Sequence, residues 1–153
     1  MTAPTSKPSA ALTIAPIEDA DIASVVAIWQ ACGLTRPWND PAADIALARR
    51  GPNSAVLVGR DGDTIVATAM VGHDGHRGWV YYVAVDPNRQ GNRYGRVIMN
   101  AAEDWLRRQG IEKLQLMVRP DNFRVKAFYE TLGYGEQQRV IFAKWLDGRE
   151  LTP

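Results

Sequence analysis

Apolar and polar residues alternate, then recur at helical spacing, in an order that predicts most of the elements. Leu12 and Ile14 alternate over Ala11–Ile14 and Pro16 ends the run, which predicts a first strand. Ile22, Val25, Val26 and Trp29 then follow at helical spacing, behind Asp19 or Asp21 as N-cap and before Gly33 as a stop. A second helix is predicted with Asn39 or Asp40 as cap, Pro41 at its first position, Ile45 and Leu47 along it, and an end near Gly51-Pro52. Ala55–Arg60 and Thr64–Gly72 are strand-like runs joined by the tight turn Asp61-Gly62-Asp63. Asp74-Gly75 turns the chain into a third run, Trp79–Val85, so the first half reads as an antiparallel meander.

The pattern then changes. Val80–Val85 is almost continuously apolar, and after a short polar loop a helix is predicted from about Tyr94 to Gln109. Its inner face is Val97, Ile98, Ala101, Ala102, Trp105 and Leu106, and Gly110 ends it. Lys113–Val118 is the next strand, which makes a strand–helix–strand unit and hence a right-handed parallel crossover. A helix over about Phe123–Leu132 and a closing strand, Arg139–Trp145, complete the reading. The fold class is α/β: a mixed sheet, antiparallel in its N-terminal meander and parallel at its centre, flanked by about four helices. Trp29, Trp105 and Trp145 fall at core positions and read as packing.

Composition narrows the function classes. At 153 residues, residues 11–153 read as one domain, preceded by a disordered lead-in over residues 1–10, rich in Pro, Ser, Thr and Ala. A core of that size needs no disulfide or metal, and the single cysteine, Cys32, suits a reducing cytoplasm. A net charge of +1 argues against nucleic acid and against a polybasic membrane patch. The longest apolar stretch, near Ile65–Val71, is far short of the roughly 20 residues of a membrane span. The first ten residues lack the apolar region of a secretory signal.

The candidate chemistry lies where the apolar strand gives way to the long helix, at Val83-Ala84-Val85-Asp86-Pro87-Asn88-Arg89-Gln90-Gly91-Asn92-Arg93-Tyr94-Gly95-Arg96. A helix start offers main-chain N–H groups without partners and the positive end of the macrodipole, which together suit a polyphosphate. Gly91 and Gly95 allow close approach, and Arg89, Arg93 and Arg96 add charged donors. Spacing alone leaves two readings open, a phosphate cradle and a basic glycine-containing turn.

Gln90-Gly91-Asn92-Arg93-Tyr94-Gly95 resembles the Gln/Arg-x-x-Gly-x-Gly/Ala signature of the GNAT superfamily of N-acetyltransferases. A second element of that family is similar to Asn122, followed by Phe128-Tyr129-Glu130-Thr131-Leu132-Gly133-Tyr134. The resemblance spans Ala11–Trp145 and departs at Arg93, which stands at the first motif glycine. It implies acetyl-CoA as co-substrate, no metal, and an amine acceptor. The amides of Gln90, Gly91, Asn92, Arg93, Tyr94, Gly95 and Arg96 would hold the pyrophosphate. The main chain of Val83 and Val85 would bond the pantetheine arm in a gap between the two parallel strands. Asn122 would contact that arm, and Tyr129 would protonate the departing thiolate. Members of the family often form homodimers.

The resemblance leaves the general base open, because positions that carry a Glu in branches of the family are Met117 and Trp79 here. A water-relayed base, or an amine that arrives deprotonated, would replace it. Acceptor-site candidates are Trp38 and Asp40 in Arg36-Pro37-Trp38-Asn39-Asp40-Pro41, and His73 and Asp74 in His73-Asp74-Gly75-His76-Arg77-Gly78. Similar stretches occur in a poorly characterised bacterial subgroup of the family. Helix capping by Asn39 or Asp40, and a plain polar turn at Asp74, are the alternatives. Tyr81 and Tyr82 are the nearest polar side chains on the strand, and alternation directs one of them to the cleft. Cys32 sits in the first helix, away from the expected cleft, which argues against a Cys nucleophile. The other readings are a non-catalytic acyl-CoA-binding module and a domain for another phosphate ligand.

Overall fold

The computed structural model describes residues 11–152, so the predicted lead-in over residues 1–10 lies outside the described residues. These residues divide into two units, 11–117 and 118–152.

In the first unit the order of strands in the sheet is their order in the chain: β1 (Thr13–Pro16), β2 (Ser54–Asp61), β3 (Thr64–His73), β4 (Gly78–Val85) and β5 (Leu114–Gln115). The first four pair antiparallel, and β4 and β5 pair parallel across the helix that connects them. The helices are α1 (Ile22–Ala31), α2 (Pro41–Arg49) and α3 (Tyr94–Arg108). The mixed sheet expected from the pattern is present, antiparallel first and parallel last.

Two faces of the sheet are covered by different helices. Val25, Ile28 and Trp29 of α1 and Ile45 and Ala48 of α2 form one core with Val56, Val58, Ile65 and Ala84. Full burial of each Val or Ile contributes roughly 1.5–3 kcal/mol. Helix α3 packs across β2, β3 and β4 through Ile98, Met99, Ala102 and Leu106. Met99 joins its buried face, whereas Val97 and Trp105 are only half-buried. The start of α1 is locked by Asp21, whose Oδ2 accepts from the Glu18 N–H at 2.9 Å and lies 2.7 Å from Arg60 Nη2 on β2. The Arg60 guanidinium, with that N–H, holds the Asp21 carboxyl below the usual carboxylate range.

The second unit holds α4 (Phe123–Thr131), capped by Asn122, whose Oδ1 accepts from Val125 N–H at 3.2 Å. Lys126 on the helix lies 3.6 Å from Glu136 beyond its end.

Two predicted strands are corrected. Lys113–Val118 shortens to Leu114–Gln115, because no strand of the sheet pairs with β5 beyond Gln115. Arg139–Trp145 is not a strand: Val140 is 81% and Phe142 92% exposed, and no ladder forms there among the described residues. Strand propensity is realised only against a pairing neighbour, so its apolar alternation is insufficient alone.

Gly78 fixes how α3 sits on β4. A Cβ at Gly78 would overlap both Leu106 methyl groups, since Leu106 packs directly on the glycine main chain. Gly78→Ala should therefore destabilise the fold by about 1–3 kcal/mol through overpacking. A urea titration at unchanged m-value reads the loss.

Candidate active site

The centre of the sheet is distorted at one place. Thr68 pairs with Ala84 and Met70 with Tyr81, so a single β3 residue, Ala69, faces two on β4, Tyr82 and Val83. Tyr82 takes up the extra length at φ +51°, a conformation costing about 1–2 kcal/mol for a residue with a Cβ. Three contacts hold it there. Its ring stacks on Trp29 with centroids 3.8 Å apart and planes 9° off parallel. Its carbonyl accepts from Thr68 Oγ1 at 3.0 Å, and that hydroxyl accepts from Trp29 Nε1 at 2.8 Å. Its hydroxyl donates to Asp44 Oδ2 of α2 at 2.7 Å. Burial, reinforced by the Asp44 carboxylate, pushes the Tyr82 phenol up to about 12, so the negative charge of the pair stays on Asp44.

The bulge changes what the strand presents. Alternation sends only one of Tyr81 and Tyr82 to the cleft, yet both line the same cavity of about 650 Å³. An extra residue shifts the side-chain period by one, which brings neighbours onto one face. His73 and Asp74 also line this cavity, together with Trp79, Asn39 and Asp44. Asp74 organises its own turn: Oδ1 accepts from the N–H groups of His76 (2.9 Å) and Arg77 (2.8 Å), and Oδ2 from Trp79 Nε1 (3.3 Å). Those main-chain donors hold its carboxyl below the usual range. His73 Nδ1 accepts from Gly75 N–H at 3.1 Å. Trp38 and Asp40 lie outside the cavity lining: Trp38 is 43% exposed, and Asp40 caps α2, accepting from Ala42 and Ala43 N–H at 3.1 and 3.2 Å.

The edge of β4 toward β5 is paired only at its start. Gly78 faces Leu114 and Trp79 faces Gln115, and no other strand of the sheet pairs with Val80–Val85 on that side. Val83 and Val85 lie on this unpaired stretch. Cys32 is nearer to it than the sequence suggests, since its Sγ donates to the Val85 carbonyl at 3.3 Å. Burial, with the Asp86 charge beside it, pushes the Cys32 thiol up, which keeps it protonated and weakly nucleophilic.

From Val85 the chain enters the loop before α3. Asp86 N–H donates to Val66 O at 2.8 Å, and its side chain accepts from Asn88 N–H at 2.9 Å. Arg89 lies 3.3 Å from Asp61, and the hydroxyl of buried Tyr94 donates to the same carboxylate at 3.4 Å. Asn92 Nδ2 donates to Arg89 O at 3.0 Å. Gln90, Gly91, Asn92, Arg93 and Arg96 are exposed and Gly95 half-buried. Gly91 has φ +87° and Arg93, the N-cap of α3, has φ +62°. The first bond of the helix ladder runs from Val97 N–H to Arg93 O (3.2 Å), so the amides of Tyr94, Gly95 and Arg96 precede it. In the second unit, Tyr129 packs edge-on against Phe128 (5.0 Å) and Tyr134 (5.7 Å), and burial pushes its phenol up to about 12.

Sequence reasoning missed Asp44 and Thr68, gave Asn39 only as a helix-cap candidate and took Trp29 for packing alone. Asp44 reads as one more polar position on a helix next to Ile45, and only the Tyr81-Tyr82 doublet hinted at an irregular strand.

The comparisons with known proteins bear on the family and the fold. The sequence profile of the Acetyltransferase (GNAT) family matches residues 22–134. An acetyltransferase of Yersinia pestis (strain Pestoides F) is 38% identical over 126 residues, covering 82% of this chain and 89% of its own. Among solved structures, AAC(6')-Iy in complex with the bisubstrate analogue CoA-S-monomethyl-acetylneamine superposes with a TM-score of 0.75 at 15% identity, covering 88% of this chain and 97% of its own. A ribosomal-protein alanine N-acetyltransferase of Escherichia coli gives 0.70 at 25% identity, covering 90% and 87%. The chain belongs to the Acetyltransferase (GNAT) family, and its fold is that of the family.

Two substitutions test the strained positions. Arg93→Gly should raise stability by about 1 kcal/mol, because glycine adopts φ +62° without a Cβ clash. Denaturant titration reads this as a higher midpoint. Thr68→Val should cost about 1–3 kcal/mol, because it strands the buried Trp29 N–H and the Tyr82 carbonyl. The same titration reads it, and the altered indole environment should shift tryptophan fluorescence.

Proposed function

We propose that this protein is an N-acetyltransferase that moves an acetyl group from acetyl-CoA to a primary amine by direct attack. The observation that carries this reading is the unpaired edge of β4 over Val80–Val85, running directly into the start of α3. An extended, amide-bearing arm can lie along that edge as an added strand, using the main chain of Val83 and Val85. A diphosphate then falls at the amides around Gln90–Arg96. The residues fit such a donor: Gly91 adds no side chain, and Arg93 and Arg96 supply positive charge. The bisubstrate analogue in the structurally similar aminoglycoside acetyltransferase supports a shared site for CoA and acceptor.

Acetyl-CoA supplies the activated thioester. The amine lone pair forms the new C–N bond as the C–S bond breaks. The nitrogen gives up one proton, and the sulfur gains one. Tyr129 is the proposed acid for the sulfur, because a phenol held near 12 stays protonated and can donate as charge develops. Asn122 is the proposed contact to the donor arm. Met117 and Trp79 offer no carboxylate as base, so the amine proton leaves through water.

Thiol release from acetyl-CoA across an amine panel tests the reading. Amine-dependent release supports it, and CoA binding without release would mark a non-catalytic acyl-CoA module instead. Tyr129→Phe should lower kcat by about 100-fold while the Kd for CoA changes little. Unchanged turnover removes Tyr129 from the acid role.

A further inference from the structure

The cavity beside β4 is one-sided in charge. Asp44 enters its lining from α2 and Asp74 from the β3–β4 turn, and no lysine or arginine lines it among the described residues. The two carboxylates are not equivalent. Both oxygens of Asp74 accept bonds from its own turn and from Trp79. Asp44 accepts one side-chain bond, from Tyr82 at Oδ2, and its Oδ1 has no partner among the described residues. The Tyr82 phenol donates to Oδ2 of Asp44, which leaves Oδ1 for whatever enters. The rings of Trp79, Tyr81 and Tyr82 line the same space, and their faces attract cations. A volume of about 650 Å³ suits a small molecule. An acceptor carrying phosphate or carboxylate would face Asp44 and Asp74, with the His73 imidazole the one basic side chain in the lining among the described residues, and like charges repel.

Position adds a second constraint. The Tyr82 side chain reaches from the bulge in β4 to Asp44, so a group bound at Asp44 lies a tyrosine's length from the Tyr82–Val83 main chain. In the acetyl-transfer reading the thioester lies along that main chain. A nitrogen bound at Asp44 is therefore not the attacking one.

We propose that the acceptor is a small diamine, an organic cation with two basic nitrogens several bonds apart. One is held as ammonium between Asp44 and the aromatic walls, and the other is presented unprotonated to the donor. This substrate class rests on the acetyl-transfer reading. Only the free nitrogen is acylated and loses a proton; the nitrogen at Asp44 keeps its charge throughout.

The test is calorimetric titration of the full chain with cadaverine, pentylamine and aminovalerate, without acetyl donor, and with CoA in a separate titration. Both amines carry an ammonium for Asp44, so cadaverine and pentylamine should bind within a few-fold of each other and aminovalerate about tenfold or more weaker. Asp44→Asn, nearly isosteric, should weaken cadaverine about tenfold while CoA still binds. Aminovalerate binding as tightly as cadaverine to wild type overturns the proposal, and this ranking needs no variant to fold. Unchanged cadaverine affinity in Asp44→Asn overturns it as well. Failure of CoA to bind while cadaverine binds would instead remove the acetyl-transfer reading and leave Asp44 as a cation site. Amine-dependent thiol release with no preference for diamines would keep that reading and remove the diamine.

Discussion

The bulge at Tyr82 is the constraint on which the candidate site depends. It forces two β4 residues to face one on β3, in a stretch, Val80–Val85, where no described strand pairs with β4 on the β5 side. The distortion is held from the buried side. Trp29 and Thr68 are both fully buried, and the relay from indole N–H to hydroxyl to Tyr82 carbonyl satisfies each of their polar groups. A buried polar relay of this kind is costly to break, because every member it loses leaves another unpaired in low dielectric. Helix α1 therefore does more than cover the sheet: through Trp29 it sets the conformation of the strand that lines the cavity.

The same strand separates two electrostatic environments. Its C-terminal end leads into exposed Arg93 and Arg96 and the first-turn amides of α3. The cavity against its other stretch carries Asp44 and Asp74. The polyanionic donor and cationic acceptor proposed above would sort themselves in such a field, since each is repelled from the place of the other. Asp61 keeps this division sharp from beneath by taking Arg89 and the Tyr94 hydroxyl, which anchors the loop at the β2–β3 turn.

Most of the fold was legible in the sequence because it follows from local periodicity. The stripes of α1 and α3 and the two hairpins needed only spacing and turn residues. What failed was non-local. Residues Lys113–Val118 and Arg139–Trp145 alternate like strands, but pairing depends on a partner that alternation does not reveal. The bulge at Tyr82 left no mark except two adjacent tyrosines, and so the reading placed only one of them at the cavity. Asp44 was invisible for a similar reason: its importance comes from Tyr82, thirty-eight residues away. Asp40, by contrast, offered a capping pattern that could be read directly, and capping is what its side chain does.

Tyr82 and Arg93 are the two non-glycine residues with positive φ among those described, and they bracket the stretch from the bulge to the start of α3. Strain of this kind persists where the surroundings over-determine it. At Tyr82 they do, through a stacked ring, a hydroxyl bonded to Asp44 and a carbonyl bonded to Thr68. At Arg93 they do not: its side chain makes no cap hydrogen bond. The two strained positions are thus physically different. Tyr82 is a built feature whose side chain holds the unfavourable backbone, whereas the backbone around Arg93 holds the residue in spite of its side chain. The exposed guanidinium, beside the first-turn amides of α3, fits the anionic donor of the proposed function.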